Sequence, residues 1–231
     1  MARVLGTMGR VSGSAQPPSD LRRRIPNALT VGRLLLTVVF VVMLSLYRYP
    51  DQHAGLLPLS LLIFVLAAVT DALDGYLARR WNAVSVFGRV VDPAADKILV
   101  LGALILLASP AFTPAGSAAA VTGLMPWMVV VMLTRELMVT SIRAVLEAAG
   151  VSFAANRSGK LKMVLQSAGI PLIMLVLWLA PAEAVREGWA RITLDITCWT
   201  MTLVTVFSSL PYAMHLLAHM AETSDAEEIE P

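Results

Sequence analysis

An all-α integral membrane protein with six transmembrane helices is the fold this sequence predicts, on three observations. Of 231 residues, 57% are hydrophobic and 15% charged, with a mean hydropathy of +0.72, a balance expected where much of the surface faces lipid. Apolar stretches long enough to cross about 30 Å of hydrocarbon run over 28–47, 56–78, 90–108, 126–146, 161–180 and 192–218. The stretches between them carry break signals.

Taken in order, the first helix follows Arg22, Arg23 and Arg24, and Pro26 and Asn27 are placed to set up its first turn, with Thr30 able to bond backbone. Tyr49-Pro50-Asp51 separates it from the second helix, and Asn82-Ala83-Val84-Ser85 separates the second from the third. Pro93 directly follows Asp92, which makes Asp92 a candidate N-cap for the third helix, since a proline in the first turn needs no N–H partner. The fourth helix follows the proline- and glycine-bearing segment 109–116, the fifth follows Asn156-Arg157-Ser158-Gly159, and the sixth follows Ala180-Pro181-Ala182-Glu183. The domain expected is 22–220, between a 1–21 tail rich in Gly, Ser, Pro and Arg and an acidic 221–231 tail. The first tail has no apolar core of the secretory type, although Arg3 and Arg10 precede any acid, as in organellar targeting segments.

Lys and Arg set the orientation. Arg22–Arg24, then Arg79, Arg80 and Arg89, then Arg157, Lys160 and Lys162 fall on one side, against Arg48, Arg186 and Arg191 on the other. The positive-inside rule places both termini on the cytoplasmic side. Cys198, the one cysteine, lies in an apolar run and reads as a small buried hydrophobe.

Against this background the segment 71–96 stands apart. Asp71, Asp74, Asp92 and Asp96 lie at the ends of the second and third apolar stretches, where ionisable groups are costly and mark function. On a helix, Asp74 and Ala78 fall about 300° and 340° around from Asp71, and Asp92 and Asp96 are one turn apart, so two helices can aim four carboxylates into one cleft. So many carboxylates require cations, and oxygen-only ligands suit Mg²⁺ or Mn²⁺ rather than Zn²⁺. Gly75 and Ala78 remove bulk beside the acids, which suits close approach by a ligand or by another helix. Arg79 is placed either for a phosphate oxygen or for the membrane interface.

The pattern Asp71-x2-Asp74-Gly75-x2-Ala78-Arg79-x8-Gly88-x3-Asp92-x3-Asp96 resembles the signature of the CDP-alcohol phosphotransferase family, without departure at any position. That resemblance implies a six-helix membrane enzyme, typically dimeric, with two divalent metals (Mg²⁺, Mn²⁺ being possible) held by Asp71, Asp74, Asp92 and Asp96. It further implies that Asp96 is the general base and that Gly75, Ala78, Arg79 and Ser85 line the CDP pocket. Arg24-Ile25-Pro26-Asn27-Ala28-Leu29-Thr30-Val31-Gly32-Arg33 resembles the opening of the bacterial phosphatidylglycerophosphate synthases within that family, which makes Pro26, Asn27 and Thr30 either capping residues or nucleotide contacts. Thr134-Arg135-Glu136 through Arg143, then Gly159-Lys160-Leu161-Lys162 and Gln166, resemble the same group.

The activity so implied is transfer of a phosphatidyl group from CDP-diacylglycerol to glycerol 3-phosphate with release of CMP. The setting is the cytoplasmic face of a bacterial inner membrane, or less readily of an organellar one, and no nucleic-acid partner is expected. Inositol, inositol 1-phosphate or serine as acceptor are alternatives. Arg135, Arg143, Lys160 and Lys162 are the expected cations for an acceptor phosphate. Arg135 and Arg143 stand about 80° apart around one helix, so they border one cavity without sharing a line. Arg135 lies in an apolar run, and its neighbour Glu136 points elsewhere by helical phase, which leaves a substrate phosphate as its expected partner.

A divalent-cation-coupled transporter is the competing class. It calls for acids near the midplane of several helices and often for repeated halves, whereas here the acids gather on one helix pair and no repeat is evident. His53 lies in a loop, and His215 and His219, a turn apart, have no third ligand nearby. Twelve Met and five Trp are ordinary for lipid-facing helices and identify no cofactor.

Overall fold

The computed structural model describes residues 20–50, 55–81, 86–114, 117, 119–150, 157–214 and 216–217. The tail and loop assignments to 1–19 and 218–231, with His53, Ser85, His215 and His219, lie outside them. The described chain is almost entirely helical. It comprises α1 (Asp20–Leu46), α2 (Leu56–Trp81), α3 (Val86–Leu107), α4 (Pro126–Ala148), α5 (Arg157–Leu179), the short α6 (Ala182–Glu187) and α7 (Trp189–Phe207), with a 3₁₀ turn at Pro110–Phe112. Among the described residues, four segments are long and apolar enough to cross a membrane: Ala28–Leu46, Leu56–Leu73, Leu161–Leu179 and Trp189–Met214. Helices α3 and α4 have comparable length but carry Asp96 and Lys97, and Arg135, Glu136 and Arg143, within their spans.

Each long helix turns a seam spaced three and four residues apart inward. In α1 it is Thr30, Arg33, Thr37, Phe40 and Leu44, continued by Tyr47 just past its end; in α4, Met128, Met132, Arg135, Val139, Ile142 and Leu146; in α7, Ala190, Leu194, Cys198, Met201 and Thr205. This is the spacing at which side chains of one helix meet a neighbour. The outward faces are apolar as well. Leu35, Val38, Val39 and Val42 of α1 and Leu62, Val65, Leu66 and Val69 of α2 are exposed, while threonine and arginine are buried. A water-soluble bundle would reverse that distribution, so the protein is of the all-α membrane class.

Helix α1 packs most extensively on α2 and next on α3, α5 joins α2 to α7, and α4 lies against α7 and α3. Phe40 meets Phe64 edge-on at 5.4 Å, anchoring α1 to α2. Between α6 and α7, a Cβ on Gly188 would fall 2.8 Å from the Ala184 Cα, so only glycine permits that corner. Gly123, at φ +76°, makes the turn into α4, where Pro126 occupies the first turn.

Several sequence boundaries move. Helix α1 begins at Asp20, so Pro26 and Asn27 lie inside it and do not open it. Helix α3 begins at Val86, which puts Asp92 in its second turn and not at an N-cap. Arg157–Gly159, read as a break, already belongs to α5. The expected sixth helix over 192–218 starts earlier, at Trp189, and is interrupted by a turn at Ser208–Ser209 before helix resumes at Leu210. The interruption has a chemical cause in Pro211, which has no N–H to offer the Phe207 carbonyl.

Candidate active site

The up-and-down order of the helices brings the chemically active residues to one end. Arg33 lies at the middle of α1, Asp71 and Asp74 in the second half of α2, Asp92 in the second turn and Asp96 at the middle of α3, Arg135 just before the middle of α4 and Arg143 beyond it, and Lys160 and Lys162 early in α5. The side chains of Pro26, Asn27, Asp74, Ala78, Arg79, Asp92 and Lys160, and the surroundings of Gly75, lie outside the described set, so only their helical positions are known.

Asp71 continues the inward seam of α2, following Leu57, Ser60, Phe64 and Ala67 by successive steps of three and four. Arg33 on α1 sits at the matching level, 1% exposed, and forms an ion pair with the Asp71 carboxylate. Its charge also acts on Asp96, as do those of Lys162, Glu136 and Lys97. One buried guanidinium therefore stands among α1, α2 and α3 with carboxylates of the latter two in its field. Thr30, one turn before Arg33, is buried in the same seam.

Next to Asp96 is a small cleft between α3, α4 and α5, lined by Asp96, Lys97, Glu136, Lys162, Gln166 and Ser167 among others. Glu136 is its electrostatic centre: Lys162 is ion-paired with it, and Arg135 Nη1 lies 3.4 Å from its Oε2. Lys97 Nζ donates to Thr140 Oγ1 at 2.7 Å, tying α3 to α4. Gln166 Nε2 donates to Thr205 Oγ1 at 3.3 Å, tying α5 to α7. Pro171 removes the N–H that would bond to the Ser167 carbonyl at the cleft wall. A larger cavity of about 590 Å³, lined by Trp127 and Arg191 among others, opens at the opposite end, remote from the carboxylates. There Arg191 is held by Asp195 through Nε–Oδ2 at 2.9 Å and Nη2–Oδ1 at 2.7 Å.

The expectation for Arg135 needs correction. The long side chain overcomes the helical phase difference and reaches Glu136, and its Nη2 donates to the Ser208 carbonyl at 3.3 Å, so Arg135 has protein partners. Arg143 Nη2 donates to the Tyr212 hydroxyl at 3.1 Å, with the guanidinium 5.7 Å from the centroid of that ring. The two arginines thus address the same C-terminal segment two turns apart. Lys162 lies on the cleft, already balanced by Glu136. Among the described residues no three metal-type ligands converge; of the four aspartates, only Asp71 and Asp96 have described side chains.

Sequence reasoning gave no role to Arg33, Lys97 or Glu136. A signal existed for Arg33: a lone cation in the apolar stretch 28–47, four residues before Thr37 and three after Thr30, on the face the helix buries.

A family profile described as CDP-alcohol phosphatidyltransferase matches residues 23–208. A CDP-diacylglycerol–glycerol-3-phosphate 3-phosphatidyltransferase of Bacillus subtilis (strain 168) is 35% identical over 195 residues, covering 81% of this chain and 92% of that protein. A protein of Mycobacterium tuberculosis (strain CDC 1551 / Oshkosh) named probable phosphatidylglycerophosphate synthase is 34% identical over 212 residues, covering 90% and 91%. A Cereibacter sphaeroides relative with the same name as the Bacillus protein is 35% identical over 170 residues, covering 71% of this chain and 69% of its own.

Proposed function

The chain belongs to the CDP-alcohol phosphatidyltransferase family, and from that premise we propose that it transfers the phosphatidyl group of CDP-diacylglycerol to glycerol 3-phosphate, releasing CMP. The observation that best supports a charged lipid donor and a phosphorylated acceptor is the gathering of Asp71, Asp96, Arg33, Lys97, Glu136 and Lys162 toward one end of a largely apolar bundle.

Asp71, Asp74, Asp92 and Asp96 are assigned as ligands of two divalent cations, Mg²⁺ or Mn²⁺. The donor chemistry fits: Asp71 and Asp96 offer carboxylate oxygens, a positive charge already lies against them, and the described residues at this end offer neither imidazole nor thiolate. When bound, such cations neutralise charge on the diphosphate and polarise its phosphorus.

The rest of the reaction falls to the chain itself. Asp96 accepts the proton of the acceptor hydroxyl, whose oxygen bonds to the phosphorus bearing the diacylglycerol as the P–O bond to CMP breaks. Gly75, Ala78, Arg79, Ser85, Pro26, Asn27 and Thr30 are assigned to the donor's nucleotide and diphosphate. Arg143, Lys160 and Lys162 are assigned to the acceptor phosphate, with Arg135 acting beside them through Glu136. The reading includes six membrane-spanning helices over 22–220, a homodimer, and an active site on the cytoplasmic side of a bacterial inner membrane, where the donor's headgroup already resides.

The test is CMP release by the purified protein in micelles containing CDP-diacylglycerol and Mg²⁺, with glycerol 3-phosphate, serine, inositol or inositol 1-phosphate, and EDTA controls. Metal-dependent release with glycerol 3-phosphate alone supports the assignment. Release with another acceptor retains the chemistry and replaces the acceptor.

A further inference from the structure

Arg33 is the most deeply buried cation among the described residues, and it is held against a residue assigned above as a cation ligand. A guanidinium stays charged at every accessible pH, and one removed from water requires an anion beside it. In the protein without substrates Asp71 provides that anion. Asp96 stands in the same field from the α3 side, with Lys97, Lys162 and Glu136 around it.

Loading divalent cations changes this balance. The cations draw on the Asp71 charge that compensates Arg33, and they place positive charge close to a buried guanidinium. Four aspartates and two divalent cations cancel, and Glu136 offsets Lys162, which leaves Arg33 and Lys97 as two net positive charges at the site. The group that restores neutrality is the diphosphate of the donor, for which the planar, forked guanidinium is a suitable partner.

We propose that Arg33 couples cation binding to donor binding, its guanidinium holding Asp71 in the empty site and turning to the donor's diphosphate as the site fills. Without donor, Arg33 opposes cation binding both by occupying Asp71 and by repulsion; with donor, that opposition is relieved. Cation and donor therefore promote each other's binding more strongly than their direct contact alone provides, and the effect is reciprocal. The inference rests on the reading of Asp71 as a cation ligand.

The experiment measures Mn²⁺ binding by electron paramagnetic resonance to the full-length protein in micelles, with and without CDP-diacylglycerol and with no acceptor, so that turnover does not enter. In wild type, the donor tightens Mn²⁺ binding by about tenfold or more, within the usual range of coupling between sites. In Arg33→Gln, Mn²⁺ alone binds more tightly than to wild type, and the donor-dependent factor falls at least severalfold. Both changes are required. A variant that binds Mn²⁺ no more tightly, or that keeps the full factor, reduces Arg33 to a packing role and overturns the proposal.

Arg33→Lys keeps the charge and loses the fork. It is expected to retain the weak cation binding of wild type and only part of the coupling, and it decides the question if Arg33→Gln does not fold. Wild type that binds both Mn²⁺ and CDP-diacylglycerol without coupling defeats this inference alone. Wild type that binds neither removes the metal and donor assignments, and this inference with them.

Discussion

Arg135 Nη2 donates to the Ser208 carbonyl oxygen at 3.3 Å, so an arginine of α4 caps the end of α7. In an unbroken helix that carbonyl would receive the Tyr212 N–H, but Tyr212 donates to Ser209 instead, at 3.0 Å. An uncapped carbonyl at this depth is costly, because lipid offers no donor. Arg135→Met is therefore expected to lower stability by roughly 1–3 kcal/mol, the range for a buried acceptor losing a charged donor. Thermal unfolding in detergent measures it, and an unchanged midpoint would deny Arg135 this role.

Glu136 and Lys162 are predicted to be energetically coupled. Both are mostly buried, at 17% and 11% exposure, and they pair across α4 and α5. Glu136→Gln and Lys162→Met should each destabilise the protein, while the double variant loses less than their sum, with an interaction of roughly 1–3 kcal/mol. Strict additivity would show that the pair contributes nothing net.

Tyr212 bears on the acceptor. Its hydroxyl accepts from Arg143, and the ring is 2% exposed among Val139, Ile142 and Leu146. Tyr212→Phe keeps the packing and the ring face but releases the arginine. We expect the KM for glycerol 3-phosphate to rise by about three- to tenfold, as for a lost hydrogen bond of about 1 kcal/mol, while the KM for CDP-diacylglycerol holds steady. Equal rises in both constants would point to a general structural effect.

Asp96 carries the proton-transfer assignment. Asp96→Asn is nearly isosteric and cannot serve as a base, so CMP release should fall by at least about a hundredfold. Donor binding in the presence of Mg²⁺ should persist in largely unchanged form. Activity close to wild type would transfer the role to another group.

The helices were legible because lipid exposure imposes long apolar runs, and the chain interrupts them with Pro, Gly and Asn. The ends were less so: Pro26 and Pro93 looked like starts, yet α1 and α3 begin six or seven residues earlier, at Asp20 and Val86. Local signals describe what a residue tolerates, while the neighbouring helices determine how far a helix extends. For the site, spacing alone brought Asp71 and Asp96 to one end. The partnership of Arg33 with Asp71 joins residues 38 apart in sequence on different helices, and no local pattern encodes it. Arg135 shows the converse: helical phase fixes where a Cβ points, but a long flexible side chain can still reach its neighbour.

Cys198, the sole cysteine, is fully buried in the α7 seam, with its Sγ 3.4 Å from the Thr122 carbonyl oxygen. The native protein thus presents a silent background to impermeant thiol reagents. Cysteines introduced one at a time at exposed helix ends, such as Arg80 or Trp189, can be labelled from either side of sealed vesicles without first replacing the natural one. The membrane orientation read from arginine and lysine can in this way be tested directly on an otherwise unaltered chain.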